Sequence, residues 1–172
     1  GGSASAGPDP RTGSSGVHVV VVDIDHFKRV NDRRGHDVGD EVLVWVAQAL
    51  RDCSRRGDLL VRWGGEELAW VARWRTAQDA AAGAERLREL VAKRTRDFGV
   101  AVTISAGVAE VAEAGGRRGD EQIDVAAALQ EALVHADRAL YRAKAAGRDR
   151  IEVAQEGLGD AGDHRLAVDY RQ

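Results

Sequence analysis

Cysteine is almost absent from this 172-residue chain: Cys53 stands alone, so an intramolecular disulfide scaffold is excluded. Five histidines (His18, His26, His36, His135 and His164) fall without HxxxH or Cys/His spacing, which excludes a structural zinc site. A basic excess is lacking too. Lys and Arg number 25 against 28 Asp and Glu, a net charge of −3, so nucleic acid is not an expected partner. No apolar run approaches the roughly 18–20 residues that cross a bilayer, the longest lying near Val17 to Val22, and no signal-peptide pattern occurs. The chain is therefore expected to be soluble and cytoplasmic, without membrane insertion. Against these absences stand 44% hydrophobic residues, enough for one core in a length that suits one domain.

Residues 1–16, rich in Gly, Ser, Ala and Pro, predict a flexible lead-in, and residues 154–172 a C-terminal tail or linker, leaving 17–153 as the domain. Val17 to Val22 is nearly all β-branched and predicts a buried strand that ends at Asp23 and Asp25. From Val38 to Ser54, the spacing of Val42, Val46, Ala49 and Cys53, flanked by Leu43, Ala47 and Leu50, predicts an amphipathic helix with Asp37 as its N-cap. Asp58 to Trp63 and Glu66 to Ala72 predict a β-hairpin whose tip, Gly64-Gly65, suits a two-residue turn at positive φ. Ala80, Ala84, Leu87 and Val91 stripe a second helix, and Val100 to Val108 predicts another strand. Leu129, Leu133, Ala136, Leu140 and Ala143 stripe a third helix that Gly147 can close, and Arg150 to Val153 predicts a last strand. Strand, helices, hairpin, helix, strand, helix, strand is an α+β order.

Acidic residues attached to apolar strands need a reason, because a carboxylate is costly to desolvate. For Asp23 with Glu66 the reason favoured is Mg2+, a hard cation held by one or two carboxylates plus phosphate and water. For Asp25 it is the cap of the next helix. Only 3 of the 25 basic residues are lysine. Lys28 lies five positions after Asp23, and Lys144 closes the third helix just before Gly147-Arg148, where compact ammonium charges can meet phosphate. Asn31, Asp37 and Asp40, interrupted by Gly35 and Gly39, read either as a turn entering a helix or as a guanine-recognising set. Arg55 and Asp58 alone read as a polar surface turn.

The strings Asp23-Ile24-Asp25-His26-Phe27-Lys28-Arg29-Val30-Asn31-Asp32, Gly35-His36, Gly39-Asp40 and Arg62-Trp63-Gly64-Gly65-Glu66-Glu67-Leu68 together resemble the GGDEF family of diguanylate cyclases. Thr103-Ile104-Ser105-Ala106-Gly107-Val108 resembles that family's TxSxGV strand. Ala136-Asp137-Arg138-Ala139-Leu140-Tyr141-Arg142-Ala143-Lys144 with Gly147-Arg148 resembles its ADxALYxAKxxGR helix. The resemblance runs from about Val17 to Val153. It implies a nucleotidyl-cyclase or polymerase-palm-like (ferredoxin-like) fold, a central antiparallel-containing sheet surrounded by helices.

The implied reaction joins two GTP into cyclic di-GMP with release of two pyrophosphates, each protomer of a homodimer presenting one nucleotide. The resemblance assigns Mg2+, with Mn2+ as the alternative, to Asp23, Glu66 and the Ile24 carbonyl. Glu67 becomes a second metal or base residue, and Lys28 joins the catalytic set. The triphosphate falls to Lys28, Lys144, Arg148 and backbone N–H groups near His26 and Phe27, with Gly64 and Gly65 allowing its close approach. Guanine falls to Asn31 and Asp40, with Leu43 in the pocket wall. Arg55 and Asp58 match the family's RxxD inhibitory site for cyclic di-GMP, with Arg86 as its second arginine. An upstream sensory or regulatory domain is implied as well. Two departures stand out: Leu68 replaces the usual Phe, and Asp9-Pro10-Arg11-Thr12-Gly13 keeps only a trace of the family's opening segment, without its following helix. The alternative is a catalytically weak or inactive module that serves as a cyclic di-GMP receptor. A purine cyclase closing one nucleotide on itself is a remoter rival.

Overall fold

A computed structural model describes residues 15–112, 117–118, 121–122 and 124–155; most of the expected lead-in and tail, Asp9 to Gly13 included, lies outside these. The elements follow as β1 (Gly16–Ile24), α1 (Phe27–Arg34), α2 (His36–Cys53), β2 (Leu59–Arg62), β3 (Glu67–Trp74) and α3 (Ala77–Asp97). Then come β4 (Ile104–Glu110), the two-residue pair β5 (Arg117–Arg118) and β6 (Glu121–Gln122), α4 (Val125–Ala145) and β7 (Ile151–Val153). The main sheet runs β2-β3-β1-β4-β7, antiparallel throughout except for β4 with β7. This is the expected α+β sheet.

The valine run makes β1 the middle strand, and both its faces are covered, which is why it reads as continuous rather than alternating hydrophobicity. Val20, Val22 and Ile24 pack with Trp70 and Trp74 against α2 and α3, while Val19 and Val21 pack against α4. Gly107 of β4 sets the α4 spacing: a Cβ there would collide with the Ala136 carbonyl and the Leu140 amide of α4, so only glycine admits the helix this close.

Several local expectations are corrected. Asp37 is not the N-cap of α2; that place falls to Gly35 at φ 88°, and Asp37 lies in the first turn, where its charge favours the helix dipole. Gly64 and Gly65 are not at positive φ, and the hairpin tip is wider than two residues. Trp63 N–H donates to the Glu67 carbonyl at 3.3 Å, and the Arg62 guanidinium ties the tip by donating to the Gly64 carbonyl (3.3 Å) and the Gly65 carbonyl (2.8 Å). A side chain, rather than glycine's freedom, shapes this turn. The fourth strand begins at Ile104 rather than Val100, because α3 ends in a Schellman turn: Gly99, at φ 76°, lets Val100 N–H reach the Thr95 carbonyl at 2.9 Å.

Candidate functional site

The site forms where β1 ends. Antiparallel register sets Asp23 opposite Glu67 on one side and Ser105 on the other, and Ile24 N–H reaches the Glu66 carbonyl at 3.4 Å. The hairpin thus delivers both glutamates to the end of the valine strand. From the other face α4 brings Lys144, whose Nζ lies 2.9 Å from Asp23 Oδ2. Asp23 is only 6% exposed, and its carboxyl is raised above the usual range by burial, opposed chiefly by Lys144 and to a smaller degree by the Arg148 charge. Glu66 is raised by burial and then by Asp23, with Glu67 adding to it. Glu67 is raised by burial, Asp23 and Asp137. Asp137, two turns before Lys144 on α4, is itself raised by desolvation against the pull of Lys144. Four carboxyls raised chiefly by burial therefore lie around Lys144, and Glu66 and Glu67 each feel the Asp23 charge as well, an arrangement that favours an added cation.

The last turn of α4 closes as a Schellman motif, with Gly147 N–H on the Lys144 carbonyl (3.4 Å) and Arg148 N–H on the Ala143 carbonyl (3.0 Å). Beyond it the backbone stays left-handed: Gly147 at φ 114°, Arg148 at 62° and Asp149 at 51°. For the two non-glycine residues this costs about 1–3 kcal/mol each and requires outside support. Part of that support is Asp25, which is not the cap it was expected to be. The N-cap of α1 is His26, at φ 56° and without a side-chain cap, and Asp25 is buried, 3% exposed. Its Oδ1 accepts from Ser105 Oγ at 2.8 Å, and its Oδ2 accepts from Thr103 Oγ1 at 2.7 Å and Asp149 N–H at 3.0 Å. All three partners lie 78 or more positions along the chain, beyond the reach of local capping rules.

The remaining residues divide. Asn31 and Asp40 come from α1 and α2, which meet closely because Gly39 lacks a side chain; a Cβ there would overlap the Asn31 amide oxygen. Leu43 of α2 and Phe27, the first residue of α1, are both buried. Lys28 is exposed on α1 and makes no ion pair among the described residues. A Cβ at Gly64 would press within 2.5 Å of Glu67 Oε2, whereas Gly65 faces open space. Leu68, in place of the usual aromatic, is 4% exposed and belongs to the core. A separate cavity of about 370 Å3 lies along α1, lined by Asp25, His26, Arg29, Arg33 and residues 99–103 among others, and it includes none of Asn31, Asp40 or Glu66.

At the far end of the hairpin, Arg55 to Asp58 forms a tight turn around Gly57 (φ 98°), with Arg55 N–H donating to Asp58 Oδ2 at 2.8 Å. The same oxygen accepts from the Trp70 indole at 2.9 Å, a partner the sequence did not announce. Arg86 extends from α3 near Gly83, and its charge lowers the Cys53 thiol against burial, so it lies close to the end of α2 that leads into Arg55.

Comparison with known proteins settles what family this is. Residues 8–150 match the family described as "Diguanylate cyclase, GGDEF domain". The chain is a GGDEF domain. It is 40% identical over 136 residues to diguanylate cyclase DgcM of Escherichia coli K12, an alignment covering 79% of this chain and 30% of that protein. Its fold matches the active GGEEF domain of a diguanylate cyclase from Vibrio cholerae (TM-score 0.68, 29% identity, 82% of this chain and 84% of that one). It also matches the GGDEF domain of DgcB from Caulobacter crescentus in complex with c-di-GMP (TM-score 0.66, 32% identity, 81% and 78%). This GGDEF domain spans under a third of its E. coli relative. Among its described residues no helix is long and apolar enough to cross a membrane.

Proposed function

We propose that this GGDEF domain condenses two GTP into cyclic di-GMP and two pyrophosphates. The observation that carries the reading is the Asp23–Lys144 contact at 2.9 Å, with Glu66 and Glu67 near enough for the Asp23 charge to raise both. Among the described residues no three His, Cys, Asp or Glu side chains form a ready metal nest. Two carboxylates suffice for Mg2+, which keeps several positions for water and phosphate. The donors are all oxygen, both carboxyls are raised chiefly by burial, and Asp23 further raises Glu66, so the residues fit the ion: Asp23 and Glu66 would hold it, with the Ile24 carbonyl, and Mn2+ suits the same donors. When bound, the ion neutralises triphosphate charge.

The protein's own groups do the rest. Lys144 and Arg148 bind phosphate oxygens, Lys28 adds charge from α1, and the first-turn N–H groups of α1, left without a side-chain cap at His26, face the same anion. Asn31 and Asp40 read guanine above Leu43. Glu67, its carboxyl raised by burial, takes the proton of the attacking 3′-hydroxyl. The new P–O bond forms at the partner's α-phosphorus as its bond to pyrophosphate breaks, and the event repeats to close the ring. Positioning and charge neutralisation supply most of the rate. One site holds one GTP, so two protomers must meet and specific activity should climb with protein concentration. Cyclic di-GMP binds at Arg55, Asp58 and Arg86 and restrains turnover. An upstream regulatory domain and a cytoplasmic setting, where GTP is supplied, complete the proposal.

The test is chromatography of products after incubation with GTP and Mg2+, with Arg55→Ala alongside. Cyclic di-GMP from both, with more from Arg55→Ala, is the expected result. No product at any protein concentration, with cyclic di-GMP still bound, would establish the receptor reading instead.

A further inference from the structure

The left-handed run at 147–149 places Arg148, yet Arg148 makes no side-chain hydrogen bond of its own among the described residues; what holds it is the backbone around it. Two independent anchors converge on its neighbour Asp149. The buried Asp25 carboxylate accepts the Asp149 N–H, while the Arg88 guanidinium of α3 donates from Nη1 to Asp149 Oδ1 at 2.6 Å. Arg88 is in turn held by Glu85 one turn back, Nε donating to Oε1 at 2.9 Å. The Glu85 carboxyl lies below its usual range because of that bond. Asp25 is fixed by Ser105 and Thr103 of the β4 region and by its own N–H on the Thr103 carbonyl at 2.9 Å. The turn is thus pinned from α3 on one side and from the junction of β1 and β4 on the other.

We infer that the chain Glu85–Arg88–Asp149–Asp25 is a brace that holds the left-handed turn and so aims Arg148 at the substrate triphosphate. Asp25 and Arg88 are positioning residues for the reaction: neither reaches the nucleotide, and each acts through Arg148. A planar guanidinium is required at 88 because it must reach two carboxylates at once, which a lysine ammonium does poorly. The inference rests on the phosphate role proposed for Arg148.

The experiment is a double-mutant cycle on the dissociation constant of 3′-deoxyGTP with Mg2+, a nucleotide that cannot attack, followed by calorimetric titration so that turnover is not needed. Arg88→Met keeps the packing stem and removes the fork, and thermal unfolding verifies that the variant is folded. Losing one well-aimed charge-assisted contact should weaken binding about tenfold. Arg148→Ala should do likewise, and adding Arg88→Met to Arg148→Ala should change the constant by less than about twofold, since the group it positions is gone. Asp25→Asn, which keeps an acceptor for Asp149 N–H, should stay within about threefold of wild type. Full multiplication of the Arg88→Met and Arg148→Ala effects would overturn the brace, as would a folded Arg88→Met with wild-type affinity. An Arg148→Ala variant that binds normally would instead overturn the phosphate role, and the brace with it.

Discussion

The two faces of the sheet are built differently, one with bulky and one with small side chains. Over one face, two tryptophans, Trp70 and Trp74, fill the space beneath α3 with leucines and valines around them. Over the other, the buried residues of α4 are almost all alanine (Ala128, Ala132, Ala136, Ala139 and Ala143, with Leu140), set against Val19, Val21 and Gly107. The thin layer brings the α4 backbone against β4 and with it Lys144 to Asp23. In the thick layer Trp70 reaches Asp58, in the turn proposed to bind product. Under the proposed function, close small-residue packing would serve the chemistry and bulky aromatic packing the regulatory turn.

The largest effect should come from the catalytic side. Glu66→Gln should cut turnover about a hundredfold or more while leaving cyclic di-GMP affinity at Arg55 and Asp58 within twofold, measured by product formation and by binding titration. Equal loss of both would mean that the two faces are not separable. Next, Gly107→Ala forces a methyl group into the Ala136 carbonyl. Overpacking of this kind costs about 1–3 kcal/mol, read from chemical denaturation, and turnover should fall with it as Lys144 is pushed away from Asp23. A stable and fully active Gly107→Ala would show that α4 can slide without consequence, which would break the comparison.

The residues that make up this contrast were legible in unequal measure. Asp23, Glu66 and Lys144 stood out because charge at the end of an apolar strand or stripe is costly, and the motif strings gave them an order. Local logic makes Asp25, directly after a strand and before a helix, a cap, while its real partners, Thr103, Ser105 and Asp149, are brought to it by the fold. Asp137 sat in plain view inside the α4 motif, and its i to i+7 relation to Lys144 was the signal available for its place in the cluster. Trp70 gave no signal at all, since a tryptophan on a strand reads as core and only the fold shows where its N–H goes. The five strands of the main sheet followed, in chain order, from hydrophobic runs, but their order across the sheet did not. Which helix lay close enough to do chemistry depended on a single glycine read from its neighbours.

A smaller effect sharpens the regulatory half. Trp70→Phe keeps most of the bulk but removes the N–H that holds Asp58 Oδ2, a bond to a charged acceptor worth about 1.5–3 kcal/mol at most in this partly exposed turn. Inhibition by cyclic di-GMP should weaken about five- to tenfold while initial rates without product stay within twofold. Unchanged inhibition would mean that Arg55 N–H alone orders the turn.

The smallest effect is on stability, and its sign is fixed by the acidic cluster. The Asp23, Glu66, Glu67 and Asp137 carboxyls are all raised in the folded protein, chiefly by burial. A raised carboxyl holds its proton more tightly folded than unfolded. Its contribution to stability is therefore lost as pH climbs from the ordinary carboxylate value through the raised one. Glu85 runs the other way, lowered by Arg88, so its contribution is lost as pH falls. The clean quantity is thus the difference in Tm between Glu66→Gln and wild type, followed across pH without divalent cation. That difference should favour the variant at neutral pH and shrink toward acid, as the wild-type glutamate takes up its proton. Mg2+ at neutral pH should raise the wild-type Tm more than that of Glu66→Gln, because an ion that binds only the folded state stabilises it by mass action. A Tm difference that ignores both pH and Mg2+ would mean that the Glu66 carboxyl is not raised by its surroundings, and the thin face would lose its claim to be a cation site.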